Sequence, residues 1–339
     1  MAEPKAYWHT NLHWVVSILW TAVSLTACGG GHGIGNQDAS GGGNAGGGNV
    51  TPQSSMRIAR MQFDFDNNGI FEGNAVFSYY GNGRVRGQRY SYTDDGVVDT
   101  DIQFFQLNSV SGYTVAYSYN DAGLLDITTF DQNDAQISKA YIYDTNGMLT
   151  RIDVLLRDAS DALVNSWYWS YTLTGSRLDG YSLFLTSSPT PIHIYTLSYN
   201  SAGQVESDHL TENATNRNFQ TYTWRTDGKI ERIYLVDGGG TLNLTEYTYD
   251  DAGRLFSTQG TSAYPRPPYR WNLDYDNNEI HIDMGDDGSV EAVIRIEWEN
   301  APCQRVFMWN TRGEPNFVAD TTVPYQPGTG YSVIPLCGE

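Results

Sequence analysis

The sequence predicts an all-β fold of repeated antiparallel hairpins, and three observations carry that expectation. The 339 residues include 35 glycines and 24 tyrosines, a composition suited to strands joined by tight turns. Aromatic residues recur in pairs two positions apart, which places both on one face of a strand. A glycine follows four residues after many of these pairs, where a turn needs a residue tolerant of positive φ.

The chain is acidic, with 20 Lys+Arg against 39 Asp+Glu and a formal net charge of -19. So negative a surface repels phosphate backbones and argues against nucleic acid as a partner. No run of eighteen or more apolar residues occurs, so no helical membrane span is expected.

Residues 1–27 read as a secretory signal. Lys5 gives a weakly positive start, and Trp14 to Ala27 form an apolar stretch of signal-peptide length. It ends in Leu25-Thr26-Ala27-Cys28, which resembles the lipobox of bacterial lipoproteins. The resemblance implies cleavage after Ala27 and lipidation of Cys28, and two or more acyl chains anchor a protein stably. Gly29 rather than Asp follows the cysteine, which by the same resemblance favours the outer membrane. Residues 28–55 comprise this cysteine and a Gly-rich stretch with almost no apolar side chains, expected to act as a flexible tether. Residues 56–339 form the expected hairpin-repeat domain.

Within that domain the pattern aromatic-x-aromatic-x-x-x-Gly appears at Tyr117–Gly123, Tyr141–Gly147, Trp169–Gly175, Leu197–Gly203, Tyr222–Gly228 and Tyr247–Gly253, with Leu for the first aromatic at Leu197. Its glycines lie 24, 28, 28, 25 and 25 residues apart, a period that marks a repeat architecture. Degenerate copies flank the series at Phe77–Gly83, Leu273–Glu279 and Phe307–Gly313. Each unit is read as two strands of about eight residues. The apolar phase changes between Leu244 and Tyr247, which predicts a β-bulge there. Terminal units are expected to differ so as to cap the sheet.

In Tyr249–Leu255 (YDDAGRL) and Tyr143–Leu149 (YDTNGML) the sequence resembles the tyrosine-aspartate (YD) repeats of the Rhs family of bacterial surface proteins. The resemblance spans most of residues 75–315. Family members wind such hairpins into a shell around a toxin domain. With about nine units, this chain is expected to form an extended or curled sheet, too short for a closed shell. Periodic tyrosines are expected to pack one face of that sheet rather than to bind ligand.

Catalytic motifs are absent from the sequence: there is no HExxH, no GxSxG and no phosphate loop. His193, His209 and His281 stand isolated in the folded part. No catalytic residue is therefore assigned, although 39 acidic residues leave a glycosidase pair open. Cys303 and Cys337 are expected to form a disulfide after export, worth about 3–4 kcal/mol, with two free thiols as the alternative.

A metal site is the sharper candidate. Asp64-Phe65-Asp66-Asn67-Asn68-Gly69 matches the first six positions of a calcium loop, D-x-[DN]-x-[DN]-G. Glu72 occupies the ninth position, whereas the twelfth is Ala75 rather than the bidentate Glu of an EF-hand. Asp64, Asp66, Asn68 and Glu72 are the candidate calcium ligands, against the reading that Asp, Asn and Gly merely serve a turn. Two further acidic clusters surround Asp94–Asp101 and Asp283–Glu291. The expected function is lipid-anchored binding or scaffolding in the cell envelope, toward a protein or glycan. The alternatives are a hydrolase acting on envelope carbohydrate and an accessory protein of an Rhs-type toxin system.

Overall fold

The computed structural model describes residues 54–92, 112–132, 135–175, 177–212, 215–236, 242–261, 268–303, 306–309 and 315–318. Cys28, Cys337 and the cluster Asp94–Asp101 lie outside the described residues, so the lipid anchor, the tether and the disulfide are not located by it.

The described elements are all strands. The first nine are β1 (Ser54–Asp64), β2 (Gly73–Tyr79), β3 (Val85–Tyr92), β4 (Gly112–Tyr119), β5 (Leu125–Gln132), β6 (Ala135–Tyr143), β7 (Leu149–Asp158), β8 (Leu163–Thr174) and β9 (Arg177–Leu185). The next nine are β10 (Pro191–Tyr199), β11 (Val205–Glu212), β12 (Thr215–Trp224), β13 (Ile230–Val236), β14 (Leu242–Tyr249), β15 (Leu255–Thr261), β16 (Tyr269–Asp274), β17 (Glu279–Met284) and β18 (Ala292–Cys303). A separate hairpin pairs β19 (Val306–Trp309) with β20 (Pro315–Val318), so the described start of the last repeat copy, Phe307 to Trp309, lies outside the main sheet.

The 18 strands form one sheet, each pairing antiparallel with the next, and β18 pairs back onto β1. The sheet is thus a closed up-and-down barrel, which overturns the expectation of an open sheet too short to close. Closure needs two strands outside the repeat series read above, β1 and β18. Ser54–Asp64 runs against Val293–Cys303, so the terminal strands do not cap open edges but satisfy each other's backbone groups. Cross-strand ion pairs on the outside of this seam join Arg57 to Glu299 at 2.6 Å and Arg60 to Glu297.

Turn chemistry sets the hairpins. At Asn120–Leu124 the Gly123 amide donates to the Asn120 carbonyl (2.8 Å), and the Asn120 amide donates to the Leu124 carbonyl (2.9 Å). That is a type I turn closed by a left-handed residue, Gly123 at φ 78°, with the register slipping at Tyr119 opposite Leu125. The same bonds recur at Asp144–Met148, Asn200–Gln204 and Asp250–Arg254. The first side chain of each loop caps the turn: Asp144 Oδ1 accepts from the amides of Asn146 (2.8 Å) and Met148 (2.9 Å). The bulge expected between Leu244 and Tyr247 is not there. β14 stays in register through those residues and slips only between Thr248 and Tyr249, while Leu244 simply falls on the opposite face from Tyr247.

One repeat was also misframed. Leu173 opposes Leu178 as Tyr119 opposes Leu125, so Tyr171 rather than Trp169 is its first aromatic. The turn is shortened to two residues, with Thr174 paired to Arg177.

Alternate side chains fill the barrel. Leu125, Val205 and Ile230, each starting a strand after a turn, and Leu178, second in β9, are 0% exposed, and Tyr117, Tyr141, Tyr222 and Tyr247 are buried beside them. Where a unit has a second aromatic, it ties its hairpin to the one before. Tyr143 Oη donates to the Leu125 carbonyl (2.7 Å), Trp224 Nε1 to Val205 (2.8 Å) and Tyr249 Oη to Ile230 (2.9 Å). A ring of this many strands can enclose an aqueous channel; here the inner face carries most of the buried apolar side chains, together with polar ones such as Thr128, Asp208 and Thr258. The outer wall carries charged pairs such as Arg232–Glu246 and Arg295–Glu279 (both 2.8 Å). A membrane-spanning barrel has the inverse pattern, apolar outside and polar within.

Candidate functional site

A packed interior leaves the barrel's ends and outer wall for function. Ser54 and Cys303 meet at one end of the seam, and Asp64 and Val293 meet at the other. Two nine-residue loops extend from that second end, Asp64–Glu72 between β1 and β2 and Asp283–Glu291 between β17 and β18. They sit on either side of the seam.

Their geometry is the same. In the first, the Asn68 amide donates to Asp64 Oδ1 (3.1 Å) and the Gly69 amide to Asp64 Oδ2 (2.8 Å). In the second, the Asp287 amide donates to Asp283 Oδ1 (3.1 Å) and the Gly288 amide to Asp283 Oδ2 (2.8 Å). The ninth residue closes each loop: Glu72 Oε2 accepts from the Phe65 amide (3.0 Å), and Glu291 Oε2 from the Met284 amide (2.6 Å). Asn67 and Gly69 have positive φ in one loop, Asp286 and Gly288 in the other. Asn67 Nδ2 donates to the Val290 carbonyl at 2.8 Å and so links the two.

They differ in charge. Asp64, Asp66 and Glu72 each bring a carboxylate oxygen to within 4.8 Å of the others, with Asp64 and Glu72 buried. Burial pushes the Asp64 carboxyl above its usual range, the neighbouring Asp66 charge adds to this, and the two loop amides pull the other way. Asn68, the fourth expected ligand, is turned aside: its Oδ1 accepts from the Ile70 amide (2.7 Å) and its Nδ2 donates to Asp66 Oδ2 (2.9 Å). The second loop has Gly285 where the first has Asp66, and its Asp286 pairs with Arg270 at 2.8 Å. Three converging oxygens in a charged, partly buried site suit a hard cation such as calcium.

Beside the first loop lies a cleft of about 330 Å3. Asn67, Gly69 and Phe71 line it from the loop, and Glu279, His281, Val293 and Arg295 from the outer wall of β17 and β18. Arg295 donates through Nε (3.0 Å) and Nη2 (2.8 Å) to Glu279 Oε1. His281 Nε2 lies 3.1 Å from Glu279 Oε2, and the Arg295 guanidinium stacks over Phe71 at 4.5 Å. Burial works against the Glu279 charge, but Arg295 and His281 outweigh it and hold the carboxyl below its usual range. Sequence reasoning left His281 isolated and passed over Glu279 and Arg295. The signal was the i,i+2 spacing of Glu279 and His281 on one strand face, which becomes a site only once β18 and the loop are placed beside it.

No family model and no curated protein matches this chain. Among solved structures, it is similar to TcdB2-TccC3 without the hypervariable C-terminal region at 17% identity and a TM-score of 0.29, covering 72% of this chain and 14% of that one. It is also similar to a porin-like protein from Bacteroides uniformis ATCC 8492 at 11% identity and a TM-score of 0.38, covering 73% of this chain and 99% of that one.

Proposed function

We propose that this chain is a lipid-tethered binding module of the bacterial cell envelope, working through the loop end of its barrel with calcium as the loop's cofactor. The observation that carries this reading is one of placement. β1 starts at the seam end where the Gly-rich residues join, whereas the carboxylate trio and the cleft lie at the opposite end. Anchored through Cys28, a linker of this length spans about 30 Å as a random coil. The barrel is thereby held at the membrane with its loop end free to meet an envelope protein or glycan.

In-cell photo-cross-linking tests the reading. Ile70, in the first loop, is 56% exposed, and Ile142, beside the turn at the other end, is 41% exposed. A photoreactive residue at position 70 should capture an envelope component that one at position 142 does not. Equal capture from both positions, or none from position 70, would overturn it.

A further inference from the structure

We infer that the cleft between the Asp64–Glu72 loop and the outer wall of β17 and β18 binds a neutral, hydroxyl-bearing ligand, the chemistry of a carbohydrate residue. The inference deepens the binding-module reading and rests on it.

On the outer-wall side of the cleft the charges already answer one another, and Asp64, which lines it from the loop, belongs to the carboxylate trio. Glu279 is held by two Arg295 N–H groups on one oxygen and faces His281 with the other. An anionic ligand would have to displace Glu279 from Arg295, and a cationic one would have to displace Arg295 from Glu279; either exchange gives up a charge-assisted contact. The two oxygens of Asp64 each accept a loop amide. What remains on offer is single donors and acceptors: Arg295 Nη1, His281 Nδ1 and Asn67 Oδ1 take no part in the hydrogen bonds these side chains make among the described residues. A hydroxyl group, which both donates and accepts, fits such a set without disturbing the ion pair.

The other surfaces are apolar. Val290, Val293 and Phe71 flank the polar group. A sugar ring has this same division, with hydroxyls at its rim and C–H groups on its faces. The volume, about 330 Å3, is at the small end of ligand pockets and suits a ligand of one or two rings. The polar groups are held in advance, because Phe71 covers the Arg295 guanidinium and Arg295 fixes Glu279. Less ordering is then needed on binding.

Calorimetric titration of the full chain tests this with cellobiose, N,N'-diacetylchitobiose and maltose as neutral probes, spermidine as a cation and inorganic phosphate as an anion. At least one neutral disaccharide should bind, and V293W, which fills the cleft, should weaken it about tenfold or more. H281F, with the ring kept and its nitrogens removed, should weaken it in the same direction while leaving the melting temperature unchanged. The inference fails if none of the three disaccharides binds, if binding survives V293W and H281F undiminished, or if spermidine or phosphate binds and is the ligand those variants lose. Capture of an envelope component from position 70 that V293W leaves intact would sink the sugar cleft and spare the binding module. Absence of both disaccharide binding and capture from position 70 in the unaltered protein would sink the two together.

Discussion

Gly203 offers a clean measure of how much the repeated turn depends on its glycine. It sits at φ 78° in the Asn200–Gln204 loop, and a Cβ built there meets nothing within 4 Å. The cost of Gly203→Ala is therefore a backbone cost alone. A left-handed conformation disfavours an L-residue by roughly 1–2 kcal/mol, and the stiffer unfolded chain returns about 0.4–1 kcal/mol. The net expectation is a loss of about 1 kcal/mol, or about 2–4 °C in melting temperature for a domain of this size. The Asp158–Ala162 loop supplies the internal control. It makes the same two backbone bonds, but Asp161 holds the left-handed position at φ 65°. Asp161→Gly relieves that strain, loosens the unfolded chain and removes an exposed 3.5 Å ion pair with Arg157. These small effects oppose one another, so its melting temperature should stay within about 2 °C of the parent. Thermal unfolding of both variants by circular dichroism decides the matter. A neutral Gly203→Ala, or an Asp161→Gly as damaging as Gly203→Ala, would refute the claim that left-handed geometry selects the glycine.

Two further outcomes are expected. Weak extracellular calcium sites work at about 0.1–1 mM, so about 5 mM calcium should stabilise the full chain over chelator by about 1–2 kcal/mol, or several degrees. Asp66→Ala should abolish the shift. An unmoved melting temperature would discard calcium, and an unaltered shift in Asp66→Ala would move it elsewhere. The turn caps predict the acid limb: the backbone amide of Met148 holds Asp144 below the usual carboxylate range, and the Ser160 hydroxyl does so for Asp158. Folded values below the unfolded one mean stability present above about pH 3.9 and lost as pH falls through the folded values. A double Asp144→Asn, Asp158→Asn variant keeps the acceptor oxygens, so its stability should fall less steeply below pH 4 with little change at neutral pH. Acid limbs of equal slope would contradict the capping role.

The repeat was legible because its causes are local. Aromatic pairs two apart, an Asp or Asn cap and a glycine four residues on are requirements of a single hairpin, and they recur wherever a hairpin recurs. Closure was not legible, since no local signal pairs Ser54–Asp64 with Ala292–Cys303, which are brought together by the coiling of the whole sheet. The same distinction explains the candidate site. Asp64, Asp66 and Glu72 fall within nine residues, and one loop brings their carboxylates together. Asn68 was not legible in the same way, because its oxygen accepts from the Ile70 amide, a bond set by the backbone of the loop. Glu279, His281 and Arg295 are meaningless apart from the Asp64–Glu72 loop, which is more than two hundred residues away in sequence and adjacent only because the ring closes.

Closure also bears on why the two loops match. They occupy the hairpins immediately either side of β1 and β18, and Asn67 bonds across to Val290. Each uses a buried first-position Asp to gather two amides and a ninth-position Glu to secure the second residue, so each fixes the exit of one strand and the entry of the next. A seam formed by the two chain-distant ends of a sheet has the largest loop-closure cost of any strand pair in the barrel, and rigid loops on both flanks reduce the freedom that must be lost there. That structural duty is common to both loops and requires no metal. What the first loop adds is Asp66 where the second has Gly285, and Phe71 leaning over Arg295. These are the residues a fold-stabilising loop does not need, and they fall on the carboxylate trio and the cleft.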